Sequence, residues 1–313
     1  MQILSVTFTG VATLLIIGLL GFWLLRRNII TGSILPPLSF LAIDIALPCF
    51  IFINITTKFE PSANHLWWTL PLWWAGFTVI AAIVSYLSSL TVKRGIRREF
   101  ITCLFFQNGI FFPLAIISSM FGSNSAYLVD LFLLTLFYPA FFFNFAPYVI
   151  KRKSSKTDFK RVFNPVLIVT IIAVLTKIVG VDSYIPQFVI SGISLTGQMA
   201  VPLLMIVLGG NIFLDFKNTE KIFIIETLKF VAFKNFILPG IVLGLLVLIK
   251  PGYSIALILI LQSAVPPVTA VPIIIEREEG NRAVANQFLV ASFLASLISL
   301  PVIIMLFSMF FSR

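Results

Sequence analysis

The chain has 313 residues, of which 59% are hydrophobic and only 11% are charged. A soluble domain carries about 25% charged residues, and a chain with so few cannot cover this much apolar surface in water. A lipid bilayer accepts such a surface, so the composition predicts an all-α membrane protein with many spanning helices. The net charge of +10 does not indicate a nucleic-acid partner, because the basic residues separate apolar runs and share no polar face.

The first apolar run, residues 3–25, is too long for the core of a signal peptide, and its basic pair, Arg26 and Arg27, follows the run. We therefore predict a retained spanning helix with its N-terminus outside. Nine further runs, each near the ~20 residues that a spanning helix needs, cover residues 35–57, 66–92, 100–120, 126–150, 162–179, 186–214, 222–249, 254–275 and 283–311.

The connections between these runs are short, and the longest is the basic segment Lys151 to Arg161 near the middle of the chain. We interpret residues 151–161 as a cytoplasmic linker. It divides the chain into a first half, residues 1–150 with runs one to five, and a second half, residues 162–313 with runs six to ten.

The distribution of positive charge supports this ten-helix arrangement. With the N-terminus outside, the odd-numbered loops face the cytoplasm and hold sixteen Lys and Arg residues, against four on the opposite side. Cytoplasmic loops of membrane proteins carry such an excess of Lys and Arg, so the count predicts ten helices with both termini outside.

The two halves repeat short motifs at nearly constant spacing. Ala46-Leu47-Pro48 in the second run corresponds to Ala200-Val201-Pro202 in the seventh, an offset of 154 residues. Gln107-Asn108-Gly109 in the fourth run corresponds to Gln262-Ser263-Ala264 in the ninth, an offset of 155 residues. Because five helices is an odd number, the second half enters the membrane from the opposite side, which predicts inverted repeats of the kind found in secondary transporters.

The fourth and ninth runs each combine polar side chains with proline near the middle of the span. Proline removes a backbone donor and clashes with the preceding helical turn, so both helices are predicted to be interrupted. Irregular backbone at membrane depth lines a cavity, and the second half of each broken helix begins with N–H groups that suit an anion. The predicted substrate-binding residues are Gln107, Asn108, Gly109, Pro113, Gln262, Ser263, Pro266 and Pro267.

Two ionisable residues lie inside apolar runs, where charge is costly and usually functional. Asp44, in the second run, stands four residues before Pro48 and shares a helix face with it. It is a candidate for coupling to H⁺ or Na⁺, and the alternative is a structural carboxylate. Lys234, near the middle of the eighth run, is a candidate for attracting an anionic substrate or for pairing with Asp44.

An enzyme is not predicted, because catalytic and metal-binding patterns are missing from the sequence. The cysteines Cys49 and Cys103 stand far apart in apolar runs, no CxxC or HExxH pattern is present, and the single histidine, His65, lies between the second and third runs. We therefore expect no metal and no cofactor beyond a coupling H⁺ or Na⁺. A channel is disfavoured, because it needs a ring of like residues from symmetric subunits.

Taken in order, several motifs resemble the auxin efflux carrier family, which includes bacterial members and the plant PIN proteins. The resemblance extends over most of the chain and depends on the order and spacing of its pieces. These are Ala46-Leu47-Pro48, Asn108-Gly109 with Pro113, Asn164-Pro165, Pro202-Leu203-Leu204, Leu208-Gly209-Gly210, Gln262 to Pro267, and Ser292 with Leu297 to Pro301.

This resemblance implies two inverted five-helix repeats whose broken helices four and nine cross, and a scaffold and a transport part that move relative to each other. It also implies a homodimer in the inner or plasma membrane of a bacterium that moves small organic anions such as malate, malonate or auxin-like carboxylates. The family's asparagine maps to Asn108, and its proline pair maps to Pro266 and Pro267. The alternatives are a bile-acid/sodium-symporter-type or other ion-coupled broken-helix transporter, or a membrane sensor on the same fold that does not transport.

Overall fold

A computed structural model describes residues 2–61, 66–123, 125–139, 141, 142, 145, 149, 165–217 and 223–311. The regular secondary structure of these residues is helical. In chain order the helices are α1 Gln2–Arg26, α2 Gly32–Lys58, α3 Trp67–Ser89, α4 Arg97–Phe105, α5 Phe111–Phe121, α6 Ala126–Leu134, α7 Pro165–Val179, α8 Gln187–Gln198, α9 Ala200–Lys217, α10 Ile224–Ile249, α11 Tyr253–Ala264, α12 Val271–Arg277 and α13 Arg282–Phe310.

Six helical segments of the described chain are long and apolar enough to cross a membrane: α1, α2, α3, the consecutive pair α8–α9, α10 and α13. Shorter apolar helices, α5, α7 and α11, occupy other predicted runs. The fold is therefore an all-helical, multi-pass membrane protein, as its composition predicted. The predicted linker, residues 151–161, and most of residues 140–150 lie outside the described residues, so the ten-span arrangement stays a prediction.

Two helices continue through a proline because the turn before it widens. Pro48 has no N–H to donate, and the π-helical turn Leu41–Ala46 precedes it in α2, where the Leu47 N–H bonds the Ala42 carbonyl. In α10 the π-helical turn Phe233–Ile237 precedes Pro239 in the same way. Pro48 therefore does not break its helix. Asp44 and Lys234 each lie within one of these wide turns, and π-helical turns are frequent at functional sites.

The helices pack as two groups. The first group contains α1, α2, α7, α8 and α9, with the most extensive contacts between α1 and α9 and between α2 and α7. The second group contains α3 to α6 and α10 to α13. The groups meet where α1 packs against α5 and α13, where α2 packs against α6, and where α9 packs against α5 and α13.

Glycines allow α1 and α9 to approach within backbone contact. A Cβ atom at Gly209 would collide with the carbonyl oxygen of Gly18, and one at Gly21 would collide with the carbonyl oxygen of Ile206. Small residues at a helix interface permit this close packing in a membrane, where van der Waals contact replaces the hydrophobic driving force.

Polar contacts hold one end of the second group together. The Lys93 ammonium lies 3.3 Å from the Glu226 carboxylate at the start of α10. Lys229 donates to the Thr91 carbonyl at 2.7 Å, and the buried Glu99 carboxylate accepts from the Asn281 backbone N–H at 2.8 Å. These contacts join α3, α4, α10 and α13 at their ends.

Candidate functional site

Two helices of the second group are interrupted near their centres. Residues 106–110 separate α4 from α5, and residues 265–270 separate α11 from α12. Both interruptions lie in the proline-containing motifs of the fourth and ninth predicted runs, so the predicted breaks are confirmed. Residues 106–110 contact residues 265–270, and the two broken helices therefore meet at this point.

A short antiparallel pairing joins the two interruptions. Gln107 faces Pro267, the Asn108 N–H donates to the Pro266 carbonyl at 2.8 Å, and the Val268 N–H donates to the Phe106 carbonyl at 3.0 Å. Gln107 and Pro267 therefore form a non-hydrogen-bonded pair of an antiparallel ladder, in which the hydrogen bonds are made by the residues on either side. Proline is tolerated at this position because the pairing does not need its missing N–H.

Side chains from other helices bond carbonyl groups at the break between α4 and α5. Pro113 cannot donate to the Gly109 carbonyl as a continuous helix would, and the Gln262 amide donates to that carbonyl at 2.5 Å. The Tyr138 hydroxyl donates to the Gln107 carbonyl. A Cβ atom at position 109 would overlap the Gln262 amide. This close approach therefore requires glycine at that position.

The break between α11 and α12 has a charged donor in place of a neutral one. The Lys234 ammonium, which is fully buried, donates to the Ser263 carbonyl at 3.3 Å. Beside it, the Asn235 side chain exchanges hydrogen bonds with Ser292 and Ser299 of α13. A buried polar network between α10 and α13 therefore adjoins Lys234.

A cavity of about 120 Å³ lies against the crossing, between the two helix groups. Its polar lining comes from four side chains, Ser39 of α2, Asn211 of α9, and Asn108 and Thr269 of the two breaks. Asn108 makes no side-chain hydrogen bond to any residue that the structure describes, so its amide is available to a ligand. Phe111 at the start of α5 also lines the cavity, and no side chain caps that helix end.

The structure brings most of the predicted site residues together. Gln107, Asn108 and Gly109 meet Gln262, Ser263, Pro266 and Pro267 at the crossing, and Pro113 lies buried in the first turn of α5. Lys234 adjoins Ser263. Asp44 is half-buried in α2 and, within the described part of the chain, forms no hydrogen bond or ion pair. Pairing with Asp44, one of the two roles considered for Lys234, is therefore not seen in this structure.

Four residues of the site were not predicted from the sequence. Ser39, Asn211 and Thr269 contribute to the cavity, and Tyr138 bonds the break. Each had the signal of a polar group in a mainly apolar run, but that signal is common in membrane helices. Among the described residues, no group of three or more His, Cys, Asp or Glu side chains is placed to hold a metal ion.

Replacing Gln262 by leucine, which has a similar volume, is expected to lower the free energy of unfolding by about 1–3 kcal/mol. The change leaves the buried Gly109 carbonyl without its donor, and an unsatisfied buried group costs this amount. The melting temperature of the purified protein in detergent measures the effect. Gln198→Leu, the same chemical change on an exposed face of α8, is the control and is expected to have little effect. Equal melting temperatures for the two variants would show that the amide does not stabilise the crossing.

Residues 6–145 and 147–304 of the chain match the sequence model of the family described as membrane transport protein. The two matched segments together cover nearly the whole chain. No curated protein matches it.

Proposed function

Because this chain belongs to the membrane transport protein family, which includes the auxin efflux carriers, we propose that it is a secondary transporter of small organic anions. The predicted resemblance is confirmed at the level of the family and of membrane transport. Carboxylates such as malate or malonate, or an auxin-like acid, are the substrate class that we propose.

The cavity at the helix crossing is the observation that carries this proposal. It lies between the two helix groups and beside the uncapped start of α5, whose first N–H groups have no partner within the helix. A helix N-terminus favours a negative charge, and the Asn108 amide adds a donor at the same place. The cavity is thus suited to a carboxylate group, with Thr269, Ser39 and Asn211 as further polar partners.

We propose that transport proceeds by alternating access, with the first helix group as a scaffold and the second group as the part that moves. The cavity lies between the groups, so a displacement of one against the other would change the side from which it is reached. Two inverted repeats related by a two-fold axis are part of this proposal, and the antiparallel pairing of Gln107 with Pro267 is compatible with them.

We also propose an orientation, an assembly and a cellular location for this protein. Both termini lie outside in the proposed topology, and the inner or plasma membrane of a bacterium is the proposed location. The proposed assembly is a homodimer in the bilayer. Ser123 follows α5 at the proposed outer end, so a Ser123→Cys variant should react with a membrane-impermeant thiol reagent added outside. A variant that reacts only when the reagent is added inside would contradict the orientation.

Coupling to H⁺ or Na⁺ through Asp44 is the proposed energy source. Asp44 lies in the π-helical turn of α2, next to Ile43, which lines the cavity. Its carboxylate has no hydrogen-bond or ion-pair partner among the described residues, which leaves it available to a cation. The dependence of uptake on each ion gradient, compared between wild type and Asp44→Asn, tests this role; unchanged ion dependence in the variant would leave Asp44 a structural residue.

Two other functions compete with this proposal. A sodium symporter of the bile-acid type would share a broken-helix crossing but would require Na⁺ for uptake. A sensor on the same fold would bind the anion without moving it. An enzyme is not proposed, since the family consists of transporters.

Uptake of radiolabelled malate and malonate into proteoliposomes tests the proposed function. We expect saturable uptake of at least one dicarboxylate, competition by other small carboxylates, and no uptake of the neutral diamide malonamide. Empty liposomes provide the background, and separate H⁺ and Na⁺ gradients identify the coupling ion. Binding of a carboxylate without uptake would indicate a sensor. Na⁺-dependent uptake of a bile acid, with no uptake of malate or malonate, would favour the symporter alternative.

A further inference from the structure

Lys234 is a fully buried lysine without a carboxylate partner. Its side chain has 0% exposure, and its ammonium donates to the Ser263 carbonyl of α11 at 3.3 Å. Within the described part of the chain it forms no ion pair. A buried charge is costly unless it is paired, and the Ser263 carbonyl at the end of α11 is the hydrogen-bond partner of the Lys234 ammonium among the described residues.

Pro267 explains why the Ser263 carbonyl is free. In a continuous helix the N–H of residue 267 would donate to the carbonyl of residue 263, and proline has no N–H. The last regular bond at this end runs from the Val265 N–H to the Leu261 carbonyl at 3.1 Å. The Lys234 ammonium therefore replaces the donor that Pro267 removes.

The charge of Lys234 also matches the electrostatics of this helix end. The C-terminus of a helix carries a partial negative charge, which a cation stabilises. The other break differs, because neutral groups, the Gln262 amide and the Tyr138 hydroxyl, bond its free carbonyls. A cation is thus built into only one of the two breaks that the structure describes.

Lys234 is not among the residues that line the cavity at the crossing. Its ammonium points to the end of α11, and the cavity is lined by Asn108 and Thr269 of the two breaks. This geometry therefore does not favour direct attraction of the substrate by Lys234.

We propose that the Lys234 ammonium is a built-in cation that occupies the place where other broken-helix transporters bind Na⁺. In such transporters, free carbonyls and half-helix C-termini coordinate the coupling ion. Here the ammonium meets that need without a bound ion, so Lys234 is a positioning residue for the crossing. We expect that Lys234→Ala opens space beside the Ser263 carbonyl, where water and Na⁺ can take the place of the ammonium. This inference does not depend on the identity of the substrate.

The melting temperatures of purified Lys234→Ala and Lys234→Met test the proposal, with NaCl compared against choline chloride at equal ionic strength. Both variants are expected to melt below wild type in choline chloride. NaCl is expected to raise the melting temperature of Lys234→Ala by about 3 °C more than that of wild type, because a ligand of the folded state stabilises it. Lys234→Met should show no such gain, since its side chain fills the space. An equal response to Na⁺ in wild type and Lys234→Ala would overturn the proposal.

A second pair of variants tests the link to Pro267. Pro267→Ala restores a backbone donor for the Ser263 carbonyl, so Lys234→Met should destabilise the protein less in the Pro267→Ala background than alone. A double-mutant cycle measures this coupling. If Lys234→Met alone cannot be purified, its recovery in the Pro267→Ala background supports the proposal. Additive effects, or failure of the double variant to fold when Pro267→Ala folds, would contradict it.

Discussion

Replacing Asn108 by alanine is expected to weaken binding of the transported carboxylate by roughly ten- to a hundredfold. A hydrogen bond to a charged group is worth about 1.5–3 kcal/mol, and each 1.4 kcal/mol corresponds to about tenfold in affinity. The stability of the protein should change little. The Asn108 N–H that pairs with the Pro266 carbonyl is backbone and remains, and the amide side chain has no hydrogen bond to a described residue.

A binding titration on wild type and Asn108→Ala measures this effect, with the melting temperature of each protein recorded alongside. The probe is malate, or the dicarboxylate that the uptake assay selects. Asn286→Ala is the matched control, because it removes a buried asparagine amide from α13 that does not line the cavity. Equal affinities of wild type and Asn108→Ala, in proteins of equal stability, would mean that the crossing is not the binding site.

Gly209→Ala is expected to lower the free energy of unfolding by about 3 kcal/mol, the upper end of the usual effect of overpacking. The new methyl group would collide with backbone atoms of Gly18 in α1. Backbone atoms have no rotamers to change, so α1 and α9 must separate along their interface. The loss should appear as a lower melting temperature and a lower yield of folded protein from membranes.

Gly244→Ala provides the control for this substitution. Gly244 lies in α10, and no heavy atom lies within 4 Å of the position that its Cβ would take. A helix-interior glycine costs about 0.5–1 kcal/mol relative to alanine, so this variant should be unchanged or slightly more stable. If both variants melt at the same temperature, close packing of α1 on α9 does not stabilise the protein.

The site shows where prediction from sequence succeeded and where it failed. Pro113, Pro266 and Pro267 predicted the two breaks because proline removes a backbone N–H and clashes with the preceding helical turn. Pro48 also lies inside a predicted spanning run, but a π-helical turn precedes it and α2 continues through it. A proline alone therefore does not distinguish a break from a widened turn. At the two breaks, side chains of other helices supply donors to the freed carbonyls.

The sequence by itself determined the class of protein, the six long apolar helical segments and the positions of the two breaks. Each of these follows from local properties, namely apolar length, proline and the charges between runs. Only the tertiary structure decided that the Gln262 amide bonds Gly109, that Tyr138 bonds Gln107, and that Lys234 bonds Ser263 and not Asp44. These partners are 153, 31 and 29 residues apart in the chain. Their pairing depends on which helix faces meet, and a helical period fixes the face within one helix but not its neighbour across the bundle.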